Sequence, residues 1–140
     1  MQLNTNYMRY ILSNLIFIFI IASLAQCSSP EKEINKKLNE MASNLNEYTP
    51  VMLDQYTRFN EATVSSDNIF TYHYTVLNTE NPDSLISVVE SVLKTNIKNE
   101  ISTNPELAYF KQNNVVIEYV YNDDNNQTIR LIRVNPEDYQ

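Results

Sequence analysis

The sequence predicts an α+β domain, a four-stranded antiparallel sheet with helices packed on one face in the order α-β-β-α-(α)-β-β. Three observations carry that prediction. Apolar residues recur at helical spacing over 31–46 and again from Pro82 past Ile101. Strand-like alternation comes in two pairs, 57–64 with 68–78 and 114–123 with 127–134. Between the strands stand Asn- and Asp-rich clusters, "SSDN" at 65–68, "QNN" at 112–114 and "NDDNNQ" at 122–127. The chain holds no glycine at all, so Asn and Asp have to supply the turn positions that need a positive φ. With 140 residues there is room for one domain, which we place at 32–140.

Taken in order, "EKEINKKLNEMASNLN" sets Ile34, Leu38, Met41 and Leu45 on one stripe of an amphipathic helix. Thr49-Pro50 ends it, because a residue before proline is pushed out of the helical region. In "NIFTYHYTVLN", Phe70, Tyr72, Tyr74 and Val76 alternate with Thr71, His73 and Thr75, the strongest strand signal in the chain. Asn81-Pro82 is a helix start, with Asn as cap and Pro at the first helical position. The helix carries Leu85, Val89, Leu93, Ile97 and Ile101, and Ile86, Val88 and Val92 widen its apolar face. Asn104-Pro105 repeats the signal and opens a short helix to about Lys111. Val115, Ile117, Tyr119 and Tyr121 share one strand face, and Val116 and Val120 make the other apolar too, as in a strand flanked on both sides. The tail "NPEDYQ" reads as an exposed end onto which Tyr139 folds back.

The N-terminus has a different character. Residues 10–25, "YILSNLIFIFIIASLA", follow Arg9 and carry no charge, and the apolar core from Ile11 to Ile21 has the length of a secretory h-region rather than of a membrane span. Met8 offers an alternative start with better signal proportions. Leu24, Ala25, Gln26 and Cys27 resemble the bacterial lipobox, whose cysteine is acylated and becomes the first residue of the mature chain. Gln26 departs from the small residue usual before that cysteine. The competing reading is ordinary cleavage after Ala25, with Ser23 and Ala25 as the small residues. The expectation is a signal peptide over 1–26, a lipidated Cys27 and tether over 27–31, and a membrane partner reached through that anchor. No Asp follows the cysteine, which by analogy points to the outer membrane, facing periplasm or cell surface.

Composition excludes more than it identifies. A net charge of −7 and a pI near 4.6 argue against nucleic acid, whose binding depends on Lys and Arg neutralising phosphates. His73 is the sole histidine and Cys27 the sole thiol, so neither a His-based metal site nor a spare thiol nucleophile is available. Without glycine there is no phosphate loop and no nucleophile elbow. The "NDDNN" run at 122–126 lacks the length, the Gly and the closing Glu of an EF-hand loop, so it reads as a hairpin turn. No cofactor and no enzymatic activity are expected. Tyr72, Tyr74, Tyr119 and Tyr121 are the more informative set: on neighbouring strands they form one ladder, either as core or, if bare, as a binding surface.

Pro50, Asp54, Thr57 and Arg58 in "TPVMLDQYTR", Tyr72, Tyr74 and Thr75 in "YHYT", then "TNPEL" and "IEYVYND", resemble a family of small bacterial secreted proteins and lipoproteins of unknown function. The likeness spans most of residues 40–134 and brings no activity with it. It draws attention to Asp54, Thr57 and Arg58, where a carboxylate and a guanidinium before the first strand are expected to pair, fixing the strand entry or contacting a ligand. Two functions follow: a non-enzymatic envelope lipoprotein that binds an unknown protein partner or supports the envelope, and, as the alternative, an immunity-type inhibitor whose acidity neutralises a basic toxin or hydrolase.

Overall fold

The first described helix, α1 (Pro30–Asn46), carries Glu31 and Glu33 in its first turn, where the helix dipole favours negative charge. It buries Leu38 and Ala42, with Ile34 and Met41 packed beside them. This computed structural model describes residues 29–140, so the expected signal peptide and Cys27 lie outside the described residues. A cis Thr49-Pro50 peptide follows α1. The sheet is built from β1 (Val51–Met52), β2 (Thr57–Val64), β3 (Phe70–Val76), β4 (Ile117–Asn122) and β5 (Thr128–Val134). Between β3 and β4 come α2 (Pro82–Thr103), a 3-10 turn (Pro105–Leu107) and the short α3 (Ala108–Gln112).

The α+β class stands, but the expected four-stranded antiparallel sheet is a five-stranded mixed one, in the order β1-β2-β3-β4-β5. The hairpins β2/β3 and β4/β5 are antiparallel, as their turn chemistry requires, whereas β3 and β4 run parallel. The physical reason is the connection: the chain leaves the end of β3, crosses back through α2 and α3, and enters β4 in the same direction, as helical crossovers allow and tight turns do not. β1 pairs with β2 through Val51↔Phe59 and Met52↔Arg58 only, too short a segment to show any alternation.

Four asparagines take the left-handed backbone: Asn68, Asn78, Asn114 and Asn126, with φ between 52° and 67°. Three of them sit in the turn clusters singled out above, because Asn tolerates this region far better than most residues other than glycine. At the start of α2, Asn81 is the capping residue but makes no side-chain cap bond, whereas Asn104 does accept from the Glu106 N–H, at 2.9 Å. Val88 and Val92, expected to widen the buried face of α2, are 78% and 60% exposed. Ile86, Ile97 and Ile101 do the burying.

The core lies on one face of the sheet. Phe59 and Ala62 of β2, Phe70 and Val76 of β3, Ile117 and Tyr121 of β4, and Ile132 and Val134 of β5 form a single cluster with the buried residues of the three helices. Beyond β1 the outer edge of β2 is bare, and the Asn46 side chain covers it. Its amide donates to Ala62 O (2.9 Å) and accepts from Ala62 N (2.7 Å), imitating a paired strand. The C-terminal tail is not an exposed end throughout: Tyr139 is 1% exposed, and its hydroxyl donates to Val115 O at 2.6 Å.

Candidate functional site

Parallel pairing of β3 with β4 puts Tyr72 opposite Tyr119 and Tyr74 opposite Tyr121 on the core face. Because strand side chains stand off the sheet, the four rings stack side by side. Centroids are 5.1 Å apart for Tyr72–Tyr119, 5.0 Å for Tyr74–Tyr121 and 6.4 Å for Tyr74–Tyr119, with the last pair only 4° from parallel. Phe59 closes the β2 side, 5.4 Å from Tyr74, and Phe70 extends the row, 5.0 Å from Tyr72. The result is a continuous aromatic floor, half core and half open.

The open half is a groove of about 310 Å³ between α1 and the 3-10 turn. Phe70, Tyr72 and Phe110 form its floor, with Met41 and Leu45 of α1 on one wall and Leu107 on the other. Tyr48 stands at the mouth, 77% exposed, and Leu45 is 39% exposed. Exposed apolar side chains continue past α1 through Val51, Met52 and Leu53. An apolar groove with exposed aliphatic and aromatic side chains at its mouth marks an interaction site more often than isolated exposed residues do.

The tyrosine hydroxyls are held in their neutral form. Burial pushes Tyr72 up to about 12, with the Glu100 charge adding to it. Burial likewise raises Tyr121 to about 12, reinforced by Asp54. Tyr74 and Tyr119 are raised above the usual phenol range, first by burial and then by neighbouring tyrosines and Glu100. None of the four hydroxyls has a hydrogen-bond partner within the described residues.

The other residues singled out from the sequence are placed differently from one another. Asp54 and Arg58 do not pair. The Asp54 carboxylate accepts from the backbone N–H groups of Tyr56 (2.6 Å) and Thr57 (2.7 Å), which builds the turn from β1 into β2. Arg58 points to the sheet face opposite the core. Its Nε donates to Asn60 Oδ1 at 2.9 Å, Nη2 lies 3.4 Å from Thr75 Oγ1, and Asn60 Nδ2 donates to the same hydroxyl at 2.8 Å. Asn60 is the extra residue of a bulge between Phe59 and Glu61, so the network secures that irregularity. The available signal for the bulge is that the two core-facing residues of β2, Phe59 and Ala62, stand three apart instead of two. His73 lies on this same opposite face, 2.9 Å from Thr63 Oγ1.

In the 122–126 run, Asp123 Oδ1 accepts from the N–H groups of Asn125 (3.0 Å) and Gln127 (2.8 Å), the bonds of a hairpin turn. No group of three or more potential metal ligands clusters among the described residues, and none of the described helices is long and apolar enough to cross a membrane.

Residues 32–131 match the model of a family described as "Domain of unknown function (DUF8479)". Curated proteins provide no match. Among solved structures, the chain is similar to a Pseudomonas aeruginosa protein described as secreted, with a TM-score of 0.69 and 15% identity over 81% of this chain and 100% of that one. It is also similar to the type II secretion pilotin EpsS of Vibrio vulnificus, with a TM-score of 0.61 and 12% identity over 79% of this chain and 94% of that one. The pilotin AspS of Vibrio cholerae gives 0.57 and 12% over 77% and 94%. At these identities the likeness is one of fold.

Proposed function

The chain belongs to the DUF8479 family of domains of unknown function, and on that premise we propose that it is a non-enzymatic protein-binding domain of the bacterial envelope, tethered through acyl chains on Cys27. The observation that carries this reading is the apolar groove beside the tyrosine floor. It offers a partner shape and aromatic area, and it lacks the convergent nucleophile, base and electrophile that a reaction centre needs. The fold is shared with a protein described as secreted and with two type II secretion pilotins, which supports an envelope setting. The lipobox-like "LAQC" supports the tether, since two or three acyl chains hold a protein at a membrane far more firmly than one.

Two experiments test the two halves of the reading. Labelled palmitate should enter the wild-type chain and not the Cys27→Ala variant; equal labelling of both removes the tether. For the groove, a photo-crosslinking residue at position 45 should trap a partner in intact cells, while the same residue at position 61, on the opposite sheet face, should not. Leu45→Arg should abolish binding without lowering the melting temperature, because Leu45 is already 39% exposed. Equal trapping from both positions would refute the groove as the docking surface.

A further inference from the structure

The tip of the β4/β5 hairpin holds the one Asn-x-Ser/Thr triplet of the chain, Asn126-Gln127-Thr128. That spacing is the acceptor pattern for N-linked glycans, in which the asparagine supplies the nitrogen and the hydroxyl two residues on is what the transferase recognises. Asp124 stands two residues before the asparagine, so the stretch also meets the stricter pattern of bacterial transferases, which favour a carboxylate there. Residues 124–128 are all exposed, as an acceptor site has to be.

The turn is closed without the Asn126 side chain. Asp123 Oδ1 accepts from the Asn125 and Gln127 N–H groups, Asp123 O accepts from the Asn126 N–H at 3.1 Å, and the Asp123 N–H donates to Gln127 O at 2.9 Å. The other three left-handed asparagines all have engaged side chains: Asn68 with Asn35 and Glu31, Asn78 with Gln55 O, and Asn114 with Gln140. By contrast, the Asn126 carboxamide makes no hydrogen bond among the described residues. Thr128 donates its hydroxyl to Asn122 Oδ1 at 2.9 Å, and its oxygen keeps lone pairs for an incoming donor. The tip is also well separated from the groove. Phe70 of the groove floor pairs with Ile117 at the start of β4, whereas the tip follows Asn122 at its end, about 16 Å along the strand.

Resting on the reading of the chain as an exported envelope protein, we propose that Asn126 is an N-glycosylation site. The donor is an oligosaccharide carried on a polyprenyl diphosphate. Nδ2 of Asn126 attacks the anomeric carbon, the bond from that carbon to the diphosphate oxygen breaks, an Nδ2 proton passes to a base of the transferase, and polyprenyl diphosphate leaves. The product carries a bulky, hydrated group at the end of the sheet away from the groove.

The test isolates the full chain from the envelope fraction of its own cells and weighs the tryptic peptide 112–130 by mass spectrometry, with electron-transfer fragmentation to place any added mass. The wild-type peptide should carry an intact oligosaccharide on Asn126. Asn126→Gln and Thr128→Ala should lose it completely, Thr128→Ser and Asn125→Gln should keep it, and Asp124→Ala should lower its occupancy. An unmodified wild-type peptide from the envelope fraction, or added mass that survives Asn126→Gln, overturns the inference and leaves the envelope reading standing. A chain recovered only from the cytoplasmic fraction overturns both.

Discussion

Tyr139→Phe isolates the bond by which the C-terminus closes the fold. The phenol ring is 1% exposed, and its hydroxyl donates to Val115 O at 2.6 Å and lies 3.4 Å from Phe110 O. The Phe110 carbonyl is in α3 and the Val115 carbonyl lies between α3 and β4, and Val115 N also donates to Phe110 O at 3.1 Å. Phenylalanine keeps the ring and therefore the packing, so only the hydroxyl bond is lost. A buried hydrogen bond contributes about 0.5–1.5 kcal/mol, and a buried carbonyl left without a donor costs about 1–3 kcal/mol. The expected loss is about 1–2 kcal/mol, which for a domain near 110 residues lowers the melting temperature by roughly 4–8 °C per kcal/mol. Urea unfolding followed by far-ultraviolet circular dichroism measures it, with an unchanged m-value showing that the unfolded state is unaltered. Removing residues 139 and 140 together also forfeits the ring and should cost about 3–5 kcal/mol. A stability for Tyr139→Phe within about 0.3 kcal/mol of wild type would refute the claim that this hydroxyl secures the α3–β4 turn.

Three further outcomes follow from the geometry. Asn46→Leu should destabilise by about 1–3 kcal/mol in thermal melts, because both backbone groups of Ala62 lose their partner at a half-buried site, whereas Asn39→Leu on the exposed face of α1 should not. Arg58→Ala should cost about 1 kcal/mol through the Asn60–Thr75 network and leave crosslinking from position 45 unchanged, since it lies on the other sheet face. Tyr72 and Tyr121 have folded pKa values of about 12 against about 10 unfolded, so their contribution to stability is complete below pH 10 and is lost as the pH rises from there through 12. Absorbance at the tyrosinate band should therefore show exposed tyrosines titrating near pH 10 and the ladder ionising only with unfolding; a single transition for all of them would contradict the buried stack.

Local chemistry made most of the elements legible. The alternation of "FTYHYTV" is β3 because apolar and aromatic residues at every second position have to face one core. Asn68, Asn114 and Asn126 mark turns because in a chain without glycine few other residues tolerate a positive φ. The two-residue β1 was not legible, since two residues carry no period. The Asp54–Arg58 pair was misread because nearness in sequence says nothing about faces: Asp54 turns back onto its own backbone, and Arg58 follows the pleat to the other side.

By itself the sequence determined the class of the domain, its two hairpins, their turns, its acidity, and the set of tyrosines that matter. Each of these depends on residues within a few positions of one another. The tertiary structure alone decided that β3 and β4 run parallel, and from this pairing follows the site: it sets Tyr72 beside Tyr119 and Tyr74 beside Tyr121. No local pattern encodes which edges of two hairpins meet. The helical crossover between them is long enough to reverse direction, and Ile97, Ile101 and Phe110 hold it in the same core as the sheet.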